Sequence, residues 1–213
     1  MSARAEILAK VREALGADPL EVPVPREYRE RGDLKPGSAA VVELLVDRLV
    51  DYRAHVHHAS AADVADVVAT LLADAGTVVV PDGLDASWLG ALPAATTVLH
   101  DSRSAPQPVE ALDAADAVVT AARVACADTG TIVLDGESDQ GRRAISLVPD
   151  VHVCVVRTAQ VVHLLPEAVR LLSAHPARPQ TWISGPSATS DIELQRVEGV
   201  HGPRTLHVVL LGA

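Results

Sequence analysis

The stretch that decides the fold runs from Ala61 to Gly83 and reads AADVADVVATLLADAGTVVVPDG. Its first part carries Val and Leu at helical spacing, which predicts an amphipathic helix over 61–75 that ends at Gly76. Thr77 to Val80 follows as a β-branched run that stops at Pro-Asp-Gly, which is typical of a short buried strand. A helix followed directly by a buried strand indicates an α/β fold with a parallel sheet.

The same alternation continues on both sides of this stretch. Helices are expected over 2–15, 38–51, 86–92, 109–114 and 166–174, and strands over 53–59, 96–99, 116–120, 151–156, 182–183 and 206–211. Between residues 121 and 156, short strands follow one another without helices, which predicts a meander on one edge of the sheet. We therefore expect a mostly parallel, mixed sheet flanked by helices.

Two units are expected along the chain. Residues 38–213 form the α/β domain, and residues 1–37 form an N-terminal helix followed by a Pro-rich arm. Ile7, Leu8, Val11 and Leu15 make one apolar stripe on that helix. The stripe needs a surface to cover, which is either the main domain or a second subunit, so a homo-oligomer is one option.

Composition narrows the class of protein. The formal net charge is −10, which argues against sequence-independent binding of nucleic acid. Hydrophobic residues make up 48% of the chain, so a packed core is expected. The sequence has no apolar run long enough to span a membrane and no signal-peptide pattern at its start, so a cytoplasmic location is expected.

The metal and cofactor predictions rest on cysteine and histidine usage. The chain has two cysteines, Cys126 and Cys154, in apolar surroundings, and a thiolate-bound iron–sulfur cluster normally needs four. We therefore expect two buried thiols and no cofactor in this chain. His55 and His57 point to one face if residues 53–59 form a strand. No third ligand is evident nearby, so no metal site is expected.

Polar, Gly-bearing turns next to apolar runs form the candidate site. Thr129 and Thr131 could offer hydroxyls to a ligand or only pair across strands, and Arg142, Arg143 and Arg204 could clamp an anion or be solvated. The candidate ligand-binding residues are Asp128, Thr129, Gly130, Thr131, Arg142, Ser184, Gly185, Ser187, Thr189, Asp191, Gly202 and Arg204, and the candidate proton carrier is His201.

The three turns that carry most of these residues are expected to converge. Because α/β sheets bind ligands at the carboxyl ends of their strands, the turns at 129–131, 184–191 and 201–204 would form one pocket for a small carboxylate or phosphate.

Ser190-x-x-Glu193 matches a helix capping box, whereas the alternation from Ile192 to Gln195 suits a strand.

Several of these segments together resemble the LUD domain family and, within it, the lactate-utilization protein C group. The matching segments are Ala127–Thr131, Arg142-Arg143 with Ser146–Pro149, His152-Val153, Ser184–Glu193 and Gly199–Pro203. They lie within roughly residues 115 to 211, while the N-terminal half matches only in its rhythm of helices and strands.

The resemblance implies a fold similar to the sugar-isomerase and CoA-transferase-like α/β group. It also implies a part in oxidising L-lactate to pyruvate, beside two partner proteins that carry the iron–sulfur clusters. Three functions stay open at this point: an accessory non-redox subunit of lactate oxidation, an independent isomerase or acyl-transferase-like enzyme, and a ligand-binding regulator of carbon use. Glu193 is the only nearby candidate nucleophile for the second.

Overall fold

The computed structural model describes residues 2–16, 23–184 and 202–212 of the chain. The helices are α1 (Ala3–Leu15), α2 (Ala39–Asp51), α3 (Val64–Leu71), α4 (Val109–Asp113) and α5 (Leu165–Leu172). The strands are β1 (His55–Ala59), β2 (Thr77–Pro81), β3 (Thr97–Asp101), β4 (Ala117–Ala121), β5 (Val124–Cys126), β6 (Thr131–Leu134), β7 (Val151–Arg157), β8 (Val161–Val162), β9 (Thr181–Ile183) and β10 (Thr205–Leu211). Short 3-10 helices cover Ala86–Leu89, Arg143–Ser146 and Thr158–Gln160.

Six strands form the main sheet, in the order β1-β10-β7-β4-β2-β3. Each neighbouring pair in it is parallel. Val78, Val79 and Val80 of β2 are fully buried, as a parallel strand covered on both faces requires. The α/β class that the sequence predicted is therefore confirmed.

The predicted meander on one edge is wrong. Strands β5 and β6 belong to a separate small sheet with the order β8-β5-β6-β9, in which the β5–β6 and β6–β9 pairs are antiparallel. Strand β7 instead lies inside the main sheet, between β10 and β4. The inner residues of β7 are all buried, so this strand needs neighbours and cover on every side and cannot form an edge.

The main sheet is covered on both faces, and alternate residues of β10 mark the two cores. Val208 and Leu210 pack with α2 and the small sheet. Val209 and Leu211 pack with α3 and Trp88. Successive strand residues point to opposite faces, so α2 and α3 lie on opposite sides of the main sheet.

Helix α3 is shorter than the helix predicted over 61–75. The carboxylate of Asp63 accepts hydrogen bonds from the backbone N–H of Ser60, at 2.5 Å, and from its hydroxyl, at 2.8 Å. This local bonding competes with helical bonding and holds residues 61–63 in a turn, so the helix begins at Val64.

The N-terminal helix matches its predicted bounds. Ser2 accepts a hydrogen bond from the N–H of Ala5, and Gly16 ends the helix with φ +71°. None of the residues of α1 is buried. In the described part of the chain, none of the helices combines the length and the apolar character needed to cross a membrane.

The arm between α1 and α2 is attached to the domain over its described part. Glu30 forms an ion pair with Arg170 of α5 at 2.9 Å. The N–H of Leu34 donates to Nδ1 of His163 at 3.2 Å, and the N–H of Gly37 donates to the carbonyl of Val161 at 2.9 Å. Residues 30–37 therefore lie against α5 and β8, on the small-sheet side of the molecule.

Candidate functional site

Three hydroxyl groups meet at one end of the small sheet, and we call Thr129, Thr131 and Ser184 the hydroxyl cluster. The Thr129 and Thr131 hydroxyls share a hydrogen bond of 2.7 Å, and the Thr131 hydroxyl donates to Oγ of Ser184 at 3.0 Å. The antiparallel pairing of β6 with β9 sets Ile132 opposite Ile183, which brings the two segments together. Thr131 is only 3% exposed, so its hydroxyl needs these partners.

Helix α2 supports the turn between β5 and β6. Nε of Arg48 donates to the backbone carbonyl of Asp128 at 3.3 Å. Gly130 has φ +63° and lies against Arg48 and the ring of Tyr52. A Cβ atom at position 130 would lie 2.9 Å from Cβ of Arg48 and 3.0 Å from Cε2 of Tyr52. Both the conformation and the close approach therefore favour glycine.

Gly130→Ala is expected to lower the free energy of unfolding by about 1–3 kcal/mol, because it combines left-handed backbone strain with crowding against α2. Urea unfolding followed by circular dichroism measures this loss. Gly212→Ala is the control, because Gly212 has no positive φ and a Cβ there would make only an ordinary contact at 3.6 Å. Equal stability of the Gly130 variant and the wild type would show that the turn tolerates a side chain.

Asp128 and Cys126 flank the hydroxyl cluster. The side chain of Asp128 is exposed, and the backbone N–H of Asp128 donates to the carbonyl of His163 at 3.1 Å. Burial raises the pKa of the Cys126 thiol, and the nearby Asp128 carboxylate raises it further, against opposing hydrogen bonds from Thr129. Cys126 is therefore a neutral thiol near pH 7, and its Sγ donates to the carbonyl of His163 at 3.4 Å.

Arg142, the predicted anion clamp, is held by another residue of the chain. Its guanidinium donates to both carboxylate oxygens of Asp101, with Nε–Oδ2 at 2.9 Å and Nη2–Oδ1 at 2.5 Å. It also donates to the carbonyl of Gln107 at 3.1 Å. Asp101 is fully buried at the carboxyl end of the edge strand β3, and its hydrogen bonds raise the pKa of Arg142. None of these contacts of Arg142 involves the hydroxyl cluster.

Arg204 and Gly202 lie just before β10, at the amino end of the main sheet. Nε of Arg204 lies 3.5 Å from Oδ1 of Asp150, and both side chains are exposed. Arg204 also lines a groove with Leu71 and Leu72, next to α3. Arg204 therefore lies at the amino edge of the main sheet, whereas the described residues of the hydroxyl cluster belong to the small sheet.

The structure thus brings together two of the three predicted turns as far as it describes them. The argument that all three gather at the carboxyl ends of one sheet is wrong, because the 129–131 turn belongs to the small sheet and Arg204 precedes a strand. The remaining candidates lie outside the described residues: Gly185, Ser187, Thr189, Asp191 and His201.

Two histidine arrangements were not predicted as sites. His55 and His57 both contact His207, with ring centroids 5.0 and 5.4 Å apart, which confirms that they share a face. His152 is fully buried, and its Nε2 lies 2.8 Å from the hydroxyl of Thr120. Burial lowers the pKa of His152 to about 4. A histidine in a strongly apolar run was the only sequence signal for this buried pair.

The groups that a metal or a cluster would need are not assembled in the described ranges 2–16, 23–184 and 202–212. No set of three or more His, Cys, Asp or Glu side chains there has an arrangement suited to a metal ion. Cys126 and Cys154 are both buried free thiols, one in the small sheet and one in the main sheet. The chain's own cysteines therefore do not fit an iron–sulfur cluster.

Comparison with known proteins places these features in a family context. Residues 42–211 match the model of the LUD domain. A Deinococcus radiodurans protein named Lactate utilization protein C is 48% identical over 176 residues, covering 82% of this chain and 81% of the relative. A protein of the same name from Geobacillus thermodenitrificans is 30% identical over 143 residues, covering 60% of this chain and 59% of the relative.

A solved structure agrees with the sequence matches. The crystal structure of a DUF162 family protein from Deinococcus radiodurans is similar to this chain with a TM-score of 0.70 and 43% sequence identity. The match covers 82% of this chain and 98% of the crystallised chain. Because the hydroxyl cluster and its support on α2 lie within residues 42–211, the matched region contains them.

Proposed function

The chain belongs to the LUD domain family, and from that premise we propose that it serves in lactate utilization. The observation that carries the proposal is the 48% identity to a protein named Lactate utilization protein C, over most of both chains. In the finer form of the proposal, the chain is an accessory, non-redox subunit. It acts beside two iron–sulfur proteins that oxidise L-lactate to pyruvate.

The non-redox part of the proposal rests on the cysteines. With two buried thiols on different sheets, this chain lacks the thiolates that hold a cluster, so the electrons of lactate would pass to its partners. The chain would then contribute binding and positioning.

The hydroxyl cluster is the ligand site that we propose for this subunit. Hydroxyls of Thr129, Thr131 and Ser184 form a chain of donors and acceptors that can turn toward a carboxylate or phosphate. Ser184 leads directly into the segment with the remaining candidate residues, including Asp191 and His201.

The purified chain is expected to be colourless and to leave lactate unoxidised, while a mixture with its two iron–sulfur partners oxidises it. Absorbance spectra and pyruvate formation measure the two halves of this prediction. Loss of pyruvate formation on omitting this chain supports the accessory role. Full activity of the two partners without it would contradict that role, and lactate oxidation by the chain alone would contradict its non-redox character.

Ligand binding is tested by titrating lactate, pyruvate and phosphate into the wild type and Thr131→Val. Valine keeps the shape of threonine but removes the central hydroxyl of the cluster, so weaker binding of at least one of these anions is expected. Thr97→Val is the matched control, because Thr97 is exposed at the start of β3. Identical affinities of wild type and Thr131→Val for all three anions would remove the hydroxyl cluster from the proposal.

A further inference from the structure

Helix α1 presents one apolar face that no described residue covers. Ile7, Leu8, Val11 and Leu15 fall on one side of the helix at 100° per residue, and their exposed fractions are 62%, 40%, 48% and 58%. An exposed stripe of this kind on a short helix is typical of a helix that binds in a groove.

Basic side chains flank this stripe, and the acidic ones lie behind it. By the same helical spacing, Arg4 lies in line with the apolar stripe one turn before Leu8, and Arg12 lies beside the stripe. Glu6 and Glu13 lie on the far side. Glu6 forms an ion pair with Lys10 at 3.2 Å. Among the described residues, neither Arg4 nor Arg12 forms an ion pair. We call Arg4, Arg12 and the apolar stripe the basic-apolar face of α1.

A groove of about 520 Å³ lies at the amino ends of the main-sheet strands, next to α3. Its apolar lining includes Leu71, Leu72, Val148 and Val151. This volume is in the range of pockets that bind ligands or partner side chains. We call this site the amino-end groove.

Carboxylates surround the apolar lining of the amino-end groove. Asp74, Asp113, Asp116 and Asp150 line it, and among the described lining residues Arg204 alone is basic. Asp150 pairs with Arg204, and Asp116 accepts hydrogen bonds from the N–H groups of Gly76 and Thr77. In the part of the chain that the structure describes, Asp74 and Asp113 form no ion pair, and both are exposed.

The two surfaces are complementary in both hydrophobicity and charge. We propose that the basic-apolar face of α1 docks into the amino-end groove of a second copy of this chain. Ile7 and Val11 would enter the apolar part of the groove, and Arg4 and Arg12 would face Asp74 and Asp113. This inference stands on the surfaces alone and is independent of the proposed function.

The attachment of the arm favours a second copy over the chain's own groove. Glu30 and Gly37 bind α5 and β8, which follow the carboxyl end of β7, whereas the groove lies at the amino ends of the main-sheet strands. The arm therefore leaves the domain on the side away from its own groove. If α1 of each copy docks into the groove of the other, the two contacts are related by two-fold symmetry. The dimer then has both of its grooves occupied.

Charge reversal and charge exchange test this dimer by sedimentation equilibrium on the full chain. The wild type is expected to form a dimer that weakens as salt rises. Arg4→Glu with Arg12→Glu, or Asp74→Lys with Asp113→Lys, is expected to raise the dissociation constant about 10- to 100-fold, since two symmetric contacts each lose two exposed ion pairs. Combining all four changes is expected to restore the dimer.

Matched controls come from the back of the same helix. Glu13→Lys changes an α1 carboxylate on the far side and is expected to leave the dimer intact. All four reversed residues are exposed, so the far-UV circular dichroism spectra of the variants should match that of the wild type. A wild-type chain that is monomeric at every concentration overturns the proposal. A dissociation constant that either reversal leaves unchanged, or a four-fold variant that does not regain the wild-type constant, also overturns it.

Discussion

Arg142→Ala is expected to lower the free energy of unfolding by about 3 kcal/mol, because it leaves a fully buried carboxylate without its partner. Asp101 has no exposure to water, and two of its three side-chain hydrogen bonds from Arg142 are 2.9 Å or shorter. Its remaining partner is the N–H of Gln107 at 2.9 Å. One backbone donor does not compensate a buried negative charge.

Asp101→Asn removes the charge of the other residue in the Asp101–Arg142 ion pair. Arg142 is 26% exposed, so water can solvate its guanidinium after the charge of Asp101 is removed, and a smaller loss of stability is expected. Urea unfolding of both variants measures how much larger the loss of stability is in Arg142→Ala than in Asp101→Asn. Arg143→Ala is the matched control, because Arg143 is exposed beside Arg142 and its loss should change stability by less than about 0.5 kcal/mol.

The same variants test whether Arg142 binds a ligand. If its main role is to neutralise Asp101, Arg142→Ala loses stability at every ligand concentration. If Arg142 instead clamps an anion, the variant should unfold like the wild type in buffer and lose only the stabilisation that lactate, pyruvate or phosphate adds. That second outcome would return Arg142 to the ligand site.

Acidification from pH 6.5 to pH 4 is expected to cost about 3 kcal/mol of stability through His152 alone. Burial lowers the pKa of native His152 to about 4, while the unfolded chain keeps the ordinary value near 6.5. Between these values the unfolded chain binds a proton that the native chain excludes, so stability falls as the pH falls. Below the native pKa both states are protonated and the effect levels off.

His152→Gln is expected to flatten this part of the pH profile while preserving a hydrogen-bonding partner for Thr120. The comparison uses the difference in unfolding free energy between pH 7 and pH 4, so a loss of stability common to both pH values does not matter. Half-buried His207, whose pKa is also lowered to about 4, contributes in the same direction in all variants. His58→Gln is the control, because His58 is exposed. An unchanged profile in His152→Gln would show that His152 is not the responsible group.

Local pattern was enough to predict most of the fold. The helix at α2 and the strands at β2, β4 and β10 follow from hydrophobic spacing and β-branched runs, which act over a few neighbouring residues. Ser2 caps the start of α1 and Gly16 its end, and Pro166 lies in the first turn of α5, as the capping signals indicate. The parallel class followed because buried runs alternate with helices along the chain.

Pairings between distant residues could not be predicted in this way. Strands β5 and β6 look like edge strands in sequence, but β8 and β9 complete a second sheet with them. Arg142 looked free for a ligand, but Asp101, 41 residues away, binds it. In both cases the deciding partner lies far along the chain, so no local pattern could identify it.

For the candidate site, too, local sequence determined some features and contacts between distant residues decided the others. The sequence alone determined that hydroxyl-rich, Gly-bearing turns follow apolar strands, since this is a property of short segments. Only the tertiary structure decided that Thr131 contacts Ser184, that Arg204 lies in a groove at the amino end of the main sheet, and that His152 is buried away from water. Those outcomes depend on strand order and register, because packing between distant segments selects which side chains share a face.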